Sequence, residues 1–319
     1  MNISEVSYRA QAVCDNVERV IVGKREIIQT VLAAFLAGGH VLLEDVPGTG
    51  KTMLAKSMAA SFGMTFKRIQ FTPDLLPADV TGIHYFNQKS NEFEFRPGGI
   101  FSNILLADEI NRATPRTQSS LLECMEEGQA TIDGVTMDVG NPFFVIATQN
   151  PVETSGTFPL PEAQLDRFMV KLSMGYPKEE KEKELLARFV TGGSGLEKLE
   201  AVCSQEEFEQ MKQACDQVAV HESIIDYVWR IVQQSRDSRN IAMGISPRGA
   251  IALIKMTQCY AAVQGREFVT ADMVKKLAPM VFGHRIILED PYLTNKTTEE
   301  YIHNILGAVS APTEDAFGQ

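Results

Sequence analysis

The sequence is short of cysteine and of basic residues, and each shortage excludes a class of protein. The cysteines number 5 in 319 residues, lie far apart and include no Cys-x-x-Cys pair. This spacing favours reduced thiols over a disulfide framework or a zinc site. Lysine and arginine number 30 against 41 for aspartate and glutamate, a formal net charge of −11. This acidic balance argues against a general grip on DNA or RNA, which uses clustered basic side chains.

The sequence also lacks a hydrophobic run that could cross a membrane. The longest stretch without Asp, Glu, Lys or Arg covers residues 27–43, and Gly38, Gly39 and His40 interrupt it. Its apolar part is shorter than the roughly 20 residues that a spanning helix needs. The first residues show no basic segment followed by an apolar core, so we expect no signal peptide. Together with the reduced thiols, this predicts a cytoplasmic protein without membrane insertion.

Short apolar runs separated by helical patterns fill the first half of the chain. Such runs are typical of a parallel sheet that is buried on both faces, so we predict an α/β fold for this half. The predicted strands cover residues 40–43, 65–70, 104–107 and 143–147, and the predicted helices cover residues 24–37 and 51–62.

The rest of the pattern predicts two β-hairpins and a helical second half. One hairpin lies within residues 71–101, and the other covers residues 129–139 and turns at Asp133-Gly134. From Pro177 onward strand patterns are sparse, and we expect a flexible joint at residues 191–195 and a core position for Trp229. The predicted helices of this half cover residues 178–190, 206–216, 223–235, 247–264 and 270–282.

A phosphate-binding loop is the strongest functional signal. In residues 41–52 an apolar strand runs into a glycine-rich turn that ends in Gly50-Lys51-Thr52 and opens a helix. Gly48 and Gly50 let backbone N–H groups approach phosphate oxygens. The helix adds the positive end of its dipole, Lys51 a mobile cation, and Thr52 a hydroxyl for Mg²⁺. Candidate nucleotide contacts are Pro47, Gly48, Thr49, Gly50, Lys51, Thr52 and Met53.

Asp45 departs from this motif. The pattern G-x-x-x-x-G-K-[ST] places glycine at position 45, where this chain has an aspartate. We expect the Asp45 side chain to point away from the phosphates, with a negative φ angle and a local hydrogen bond.

Two further strand ends carry polar side chains suited to nucleotide hydrolysis. The predicted strand 104–107 ends in Asp108-Glu109, where Asp108 would hold Mg²⁺ through its water shell and Glu109 would orient and deprotonate the attacking water. The next strand is followed by Asn150, whose amide can hydrogen-bond both the γ-phosphate and that water. Alone, each is typical of an ordinary strand end. The phosphate loop upstream is what favours a role in nucleotide hydrolysis.

These strand ends, in this order, resemble those of the AAA+ ATPases, and the closer resemblance is to the MoxR family. The likeness is dense from Ile21 to about Pro177. It is carried by residues 42–48 (LLEDVPG), 107–113 (ADEINRA), 117–123 (TQSSLLE), 147–151 (ATQNP) and 160–168 (LPEAQLDRF), and in the second half by Ser246-Pro247-Arg248. Pro73-Asp74 and residues 96–99 (RPGG) resemble the helix-2 insert of that family.

The resemblance implies an AAA+ P-loop domain with a central parallel sheet, followed by a mostly α-helical lid domain. We therefore expect a helical lead over residues 1–17, a nucleotide-binding core over 18–176 with its insert hairpin at about 71–101, and the lid over 177–319. It also implies ATP and Mg²⁺ as cofactors and a homo-oligomeric ring, most often a hexamer, with ATP between subunits.

Two arginines match positions that complete such a site. Arg167 matches the arginine finger that reaches a neighbour's γ-phosphate, although a surface ion pair with Glu162 or Asp166 is the alternative. Arg112 is the second candidate for the finger. Arg248 opens a helix and matches the second sensor, in its own or the next subunit. Val22-Gly23 matches a backbone segment that meets adenine.

The resemblance implies a chaperone-like motor that matures partner proteins or inserts a cofactor or metal into them. A von Willebrand factor A-domain protein is the expected partner, together with a client protein. Two alternatives stay open from the sequence: a motor acting on nucleic acid, which the acidic charge disfavours, and a nucleotide-dependent switch or scaffold with little hydrolysis.

Overall fold

The computed structural model describes residues 1–152, 156–177, 179–192, 196, 199–289 and 297–312. Its helices are α1 (Ile3–Glu18), α2 (Arg25–Leu36), α3 (Lys51–Ser61), α4 (Pro77–Thr81), α5 (Pro115–Glu127), α6 (Glu162–Leu165), α7 (Glu179–Gly192), α8 (Gln205–Cys215), α9 (Glu222–Asp237), α10 (Pro247–Val263), α11 (Ala271–Phe282) and α12 (Thr298–Ala308). Its strands are β1 (His40–Glu44), β2 (Phe66–Gln70), β3 (Gly82–Asn87), β4 (Glu92–Pro97), β5 (Ile104–Asp108), β6 (Gln129–Ile132), β7 (Val135–Asp138), β8 (Phe144–Gln149), β9 (Phe168–Leu172), β10 (Ile241–Met243) and β11 (Ile287–Leu288).

A five-stranded sheet in the order β2-β5-β8-β1-β9 forms the centre of the first half. All its neighbours pair in parallel. The apolar residues of β1, β5 and β8 are buried on both faces, as the sequence pattern predicts. Because the strands are parallel, Glu44, Asp108 and Gln149 end at the same edge of the sheet. The predicted α/β core is confirmed.

Two apolar clusters cover the faces of this sheet. One packs α4 and α5 against the side chains of Leu42, Leu105 and Val145. The other joins the opposite face to α1, α2 and α3, and continues into α8, α9, α10 and α11 of the second half. Phe35 of α2 shows the connection, since its ring lies 4.5 Å from that of Phe144 and 4.2 Å from that of Phe208 in α8.

Both predicted hairpins are present. β3 pairs with β4, and β6 pairs with β7 through a turn at Asp133 and Gly134, both with positive φ. The two hairpins meet where Nδ1 of His84 lies 2.9 Å from Oδ2 of Asp133. The first hairpin exposes 73% of Phe93, whose ring packs on Phe86 at 5.4 Å.

The second half is mostly helical as predicted, with two corrections. Trp229 is 58% exposed and not in the core, because α9 buries Tyr227, Val228 and Ile231 on the other side of the helix. α7 continues through Gly192 where a joint was expected, and the rest of that predicted joint, residues 193–195, lies outside the described residues. The sequence pattern also missed α12 and the antiparallel ribbon of β10 and β11.

All five cysteines are buried as free thiols. Within the described part of the chain, no helix is both long enough and apolar enough to span a membrane.

Candidate active site

The carboxyl edge of the sheet forms one wall of a cleft of about 400 Å³. The turn after β1 and the ends of β5 and β8, three segments distant in sequence, meet in this cleft as expected, and the end of β2 joins them. Its lining residues are Pro47, Gly48, Gly50, Lys51, Thr52, Met53, Arg68, Gln70, Asp108, Glu109, Gln149 and Asn150.

The glycine-rich turn carries the backbone geometry of a phosphate loop. Gly48 and Gly50 have φ angles of 87° and 94°, which side chains with a Cβ rarely adopt. Gly50 is the N-cap of α3, so the first N–H groups of that helix point into the cleft. Lys51 Nζ donates to the carbonyl oxygens of Asp45 at 2.8 Å and Val46 at 3.2 Å. Burial lowers the pKa of Lys51, and the nearby carboxylates oppose that shift.

Asp45 points away from the cleft, as predicted. The residue is 5% exposed, and its φ angle is not in the positive range. Its carboxylate accepts hydrogen bonds from Ser173 Oγ at 2.8 Å and from the N–H groups of Met174 at 2.5 Å and Gly175 at 3.0 Å. The acid therefore ties the phosphate loop to the segment that follows β9.

A short hydrogen-bonded chain connects β5 with β8. Thr148 Oγ1 donates to Oδ1 of Asp108 at 2.6 Å and accepts from the Glu109 N–H at 2.8 Å. The other oxygen of Asp108 contacts Arg68, with Nη2 at 2.6 Å and Nε at 3.0 Å. Thr148 thus holds the carboxylate of Asp108 and the backbone of Glu109.

Glu109 has a left-handed backbone, with φ 56° and ψ 50°. A non-glycine residue in this region stores strain that the surrounding structure must support, a feature common at functional sites. Its Oε2 accepts from Nε2 of Gln70 at 2.8 Å and lies 3.3 Å from Nη1 of Arg112. Arg112 therefore pairs with the acid of its own cleft.

The remaining predicted nucleotide contacts divide into two groups. Met53 and Asn150 line the cleft, and Asn150 Oδ1 accepts from the N–H of Val152 at 3.2 Å. Thr49 belongs to the same turn, where its hydroxyl donates to the carbonyl of Val46 at 3.4 Å. Val22 and Gly23 lie in the turn between α1 and α2, outside the residues that line the cleft.

The donor set of the cleft suits Mg²⁺. Thr52 and Asp108 present a hydroxyl and a carboxylate, the hard oxygen ligands that Mg²⁺ prefers, and phosphates and water supply the other ligands in such sites. In the described residues no group of three or more His, Cys, Asp or Glu side chains is placed to hold a metal.

Arg167 and Arg248 are brought together, but away from this cleft. Nη2 of Arg167 lies 3.0 Å from Oε2 of Glu126, and Nη1 of Arg248 lies 2.9 Å from Oε1 of the same carboxylate. The ion pair considered for Arg167 thus exists with a different partner, because Asp166 pairs with Arg285 at 2.6 Å. Neither arginine lines the cleft of its own chain.

Sequence reasoning missed several residues of this arrangement. Arg68 and Gln70 end β2, and only the strand order places them beside β5. Thr148 lies in the segment 147–151 (ATQNP). Its position directly after the predicted strand 143–147 could have indicated that its hydroxyl lies at the carboxyl edge of the sheet. Glu126 and Arg285 gave no local signal, since their partners are distant in sequence.

Comparisons with known proteins agree with the fold. Residues 40–170 match the model of the ATPase family associated with various cellular activities, and residues 233–305 match the AAA lid domain. The YeaC protein of Bacillus subtilis is 50% identical over 301 residues, 94% of each chain. The chaperone MoxR1 of Mycobacterium tuberculosis is 38% identical over 95% of this chain and 82% of its own length.

A solved structure extends the likeness to the whole chain. The crystal structure of a protein from Cytophaga hutchinsonii superposes with a TM-score of 0.90 at 36% identity, over 98% of this chain and 97% of that one. The MoxR protein of Methylorubrum extorquens is 27% identical over 93% of both chains. With its parallel sheet, its phosphate loop and its helical lid, this chain belongs to the MoxR family of AAA+ ATPases.

Proposed function

We propose that the chain hydrolyses ATP at a site shared by two copies of itself and uses the cycle to remodel partner proteins. One observation carries this proposal: the phosphate loop and the acidic strand ends share one cleft, while the two candidate activating arginines lie together outside it. A site with its parts on two surfaces is completed when the arginines of one subunit face the cleft of the next.

Within the cleft, each side chain has a role set by its chemistry. Lys51 and the first N–H groups of α3 bind the β- and γ-phosphates. Thr52 and Asp108 would hold Mg²⁺, which would neutralise phosphate charge. Glu109 accepts a proton from the attacking water, while Gln70 and Arg112 orient its carboxylate. Asn150 positions that water against the γ-phosphate. Val22 and Gly23 are the proposed contacts to adenine.

Across the subunit boundary, Arg167 acts as the finger and Arg248 as a second cation in trans. The positions of both at Glu126 support this assignment over a role for Arg248 in its own cleft. We favour Arg167 over Arg112 as the finger, because Arg112 already pairs with Glu109 of its own chain. A guanidinium placed on the developing charge contributes roughly 10³–10⁵ in rate in well-studied NTPases.

The proposed assembly is a homo-oligomeric ring, most simply a hexamer, in the cytoplasm. Its core covers residues 18–176 with the insert hairpin at about 71–101, preceded by a helical lead over 1–17 and followed by the lid over 177–319. The relative named as a chaperone supports a protein client, and we propose maturation or cofactor insertion, with a von Willebrand factor A-domain protein as partner.

Two variants test the catalytic assignment. Lys51→Ala should abolish ATP binding, because the cation for the phosphates is lost. Glu109→Gln should keep ATP binding within about threefold and lower kcat by about 10²–10⁴, since the amide cannot accept the proton. ATP binding by equilibrium dialysis and phosphate release measure the two steps separately.

Lys56→Ala is the matched control, since it removes a lysine from the same helix outside the cleft lining. Wild-type turnover in Glu109→Gln would remove Glu109 from the role of base. A pull-down with the ATP-locked Glu109→Gln protein then tests for a protein client, and enrichment of nucleic acid instead would contradict the remodelling proposal.

A further inference from the structure

Arg285, in the turn after α11, makes an unusually complete set of contacts to the opposite half of the chain. Its side chain is 3% exposed. Nε donates to Oδ1 of Asp166 at 2.6 Å, and Nη2 donates to the carbonyl oxygens of Asp166 at 3.1 Å and Phe168 at 2.7 Å. Nη1 donates to the carbonyl oxygens of Met169 at 3.1 Å and Val281.

Four of these hydrogen bonds are made to residues on either side of Arg167, one to a side chain and three to backbone carbonyl oxygens. The contacted residues are Asp166, Phe168 and Met169, so the peptide group before Arg167 and the two peptide groups after Phe168 and Met169 are held while the Arg167 side chain projects to Glu126. His284 adds a further contact, with Nε2 2.8 Å from the carbonyl oxygen of Phe168. A guanidinium fork is suited to this task because its donors are rigid and planar.

The same aspartate also contacts the N-cap of the helix that carries the second arginine. Ser246 Oγ lies 3.4 Å from Oδ2 of Asp166 and accepts from the Gly249 N–H as the N-cap of α10. Arg248 lies in the first turn of that helix. Asp166 therefore connects Arg285 to the backbone segment that carries Arg167 and to the N-cap of the helix that carries Arg248.

Burial of a charged arginine side chain carries a desolvation penalty. Burial lowers the pKa of Arg285 below its ordinary value, although Asp166 opposes the shift. A buried ion pair of this kind adds little net stability compared with an apolar pair, and its best use is to fix a geometry.

We propose that Arg285 is a positioning residue for catalysis in the adjacent subunit, holding Arg167, and through Asp166 also Arg248, at the spacing that the neighbour's γ-phosphate requires. The inference rests on the shared site proposed above. It assigns to the lid a direct part in placing the finger: a movement of the turn after α11 moves Arg167.

The test uses Arg285→Lys, which keeps the charge but cannot reproduce the five-donor fork. Pure Arg285→Lys rings should lose at least about tenfold in kcat while KM for ATP changes less than about threefold, because their own clefts are intact. Arg9→Lys, which alters an Arg–Glu207 ion pair at 2.5 Å between α1 and α8, is the matched control and should retain activity. Unchanged kcat in Arg285→Lys would overturn the inference.

Mixed rings separate positioning from a general structural role. A Lys51→Ala subunit cannot bind ATP but presents a normal Arg167 to its neighbour. Co-assembly with Lys51→Ala should therefore raise ATP hydrolysis above the sum of the two separate proteins, since Arg285→Lys clefts then receive a correctly held finger. A merely misfolded Arg285→Lys subunit would show no such gain.

Arg167→Ala mixed with Lys51→Ala distinguishes the two proposals. A gain with Arg167→Ala but none with Arg285→Lys would overturn the role of Arg285 alone. No gain in either mixture would overturn the shared site and this inference with it. If Arg285→Lys does not fold, Asp166→Asn, which removes the charge that Nε contacts, is taken through the same mixtures with the same expectations.

Discussion

Arg167 and Arg248 share one counter-ion, because each places an Nη atom within 3.0 Å of a different oxygen of Glu126. A carboxylate held between two guanidinium groups marks a position where an anion binds well. A terminal phosphate group offers similar oxygen acceptors and more charge. Glu126 thus neutralises the two arginines within one subunit, and the γ-phosphate of a neighbour would compete for them.

The first prediction concerns that competition. Glu126→Gln should lower the ATP concentration needed for half-maximal hydrolysis by roughly twofold to fivefold, since each partly exposed ion pair is worth about 0–1 kcal/mol. Steady-state kinetics of assembled rings measure the effect. Glu127→Gln removes the same charge from the next residue and should behave as the wild type. A raised half-maximal concentration in Glu126→Gln would show that the carboxylate supports the site and does not compete with it.

The second prediction concerns dependence on assembly. Arg167→Ala should lower kcat by roughly 10²-fold or more, and Arg248→Ala by a smaller factor, without loss of ATP binding to the cleft. Wild-type specific activity should fall on dilution as subunits separate, which phosphate release over a range of protein concentrations measures. Dilute monomers that hydrolyse ATP as fast as concentrated protein would exclude a finger in trans.

The third prediction is that restoring the consensus glycine harms the protein. Asp45→Gly removes the acceptor for Ser173 and for the N–H groups of Met174 and Gly175. Of these donors only the Met174 N–H is buried, and an unmatched buried donor costs about 1–3 kcal/mol, so we expect the free energy of unfolding in urea to fall by roughly 1–3 kcal/mol. Asp45→Asn keeps one acceptor oxygen and should lose less. Equal stability of Asp45→Gly and wild type would contradict the anchoring role.

The fourth prediction is a loss of stability in acid that His40 causes. Nε2 of His40 lies 3.0 Å from the carbonyl oxygen of Met125, and Nδ1 accepts from the N–H of Val145 at 3.0 Å, which fixes the neutral form. Burial lowers the pKa of His40 from 6.5 to about 4. Between those values the unfolded chain binds a proton that the folded chain does not, so stability falls as pH falls, by up to about 3 kcal/mol.

Urea unfolding at several pH values from about one unit above the ordinary pKa of 6.5 down to about 4 measures that loss. His40→Gln should be less stable at neutral pH but should depend less steeply on pH in this window. His303→Gln, at an exposed position of α12, is the control and should keep the wild-type slope. A His40→Gln slope equal to that of the wild type would assign the acid sensitivity to other groups.

The sequence predicted the parts of the fold and site that depend on local pattern. Apolar runs, the glycine-rich turn and Asp133-Gly134 each determine a strand, a loop or a hairpin from neighbouring residues. The convergence of Lys51, Asp108 and Asn150 followed because parallel strands place their ends at one edge. The Asp45 side chain points away from the cleft as predicted, but the expected local hydrogen bond was wrong, because its partners Ser173, Met174 and Gly175 are distant in sequence.

What escaped prediction depends on contacts between distant segments. Gln70 and Arg68 enter the cleft only because β2 is the neighbour of β5. The roles of Glu126 and Arg285 depend on their ion pairs with Arg248 and Asp166, which lie in the other half of the chain. Trp229 shows the same limit, because its helix could place an aromatic residue on either side until the packing of α9 was known.

The apolar cluster that joins α1 and α2 to α8, α10 and α11 has a mechanical consequence. The two halves of the chain meet through close-packed apolar side chains as well as through the polar contacts of Arg285 and Arg248, and close packing opposes sliding between them. Division of the chain after residue 176 would expose hydrophobic surface on both fragments, so we expect each fragment to aggregate when it is produced alone. Heating should melt the whole subunit in a single cooperative step.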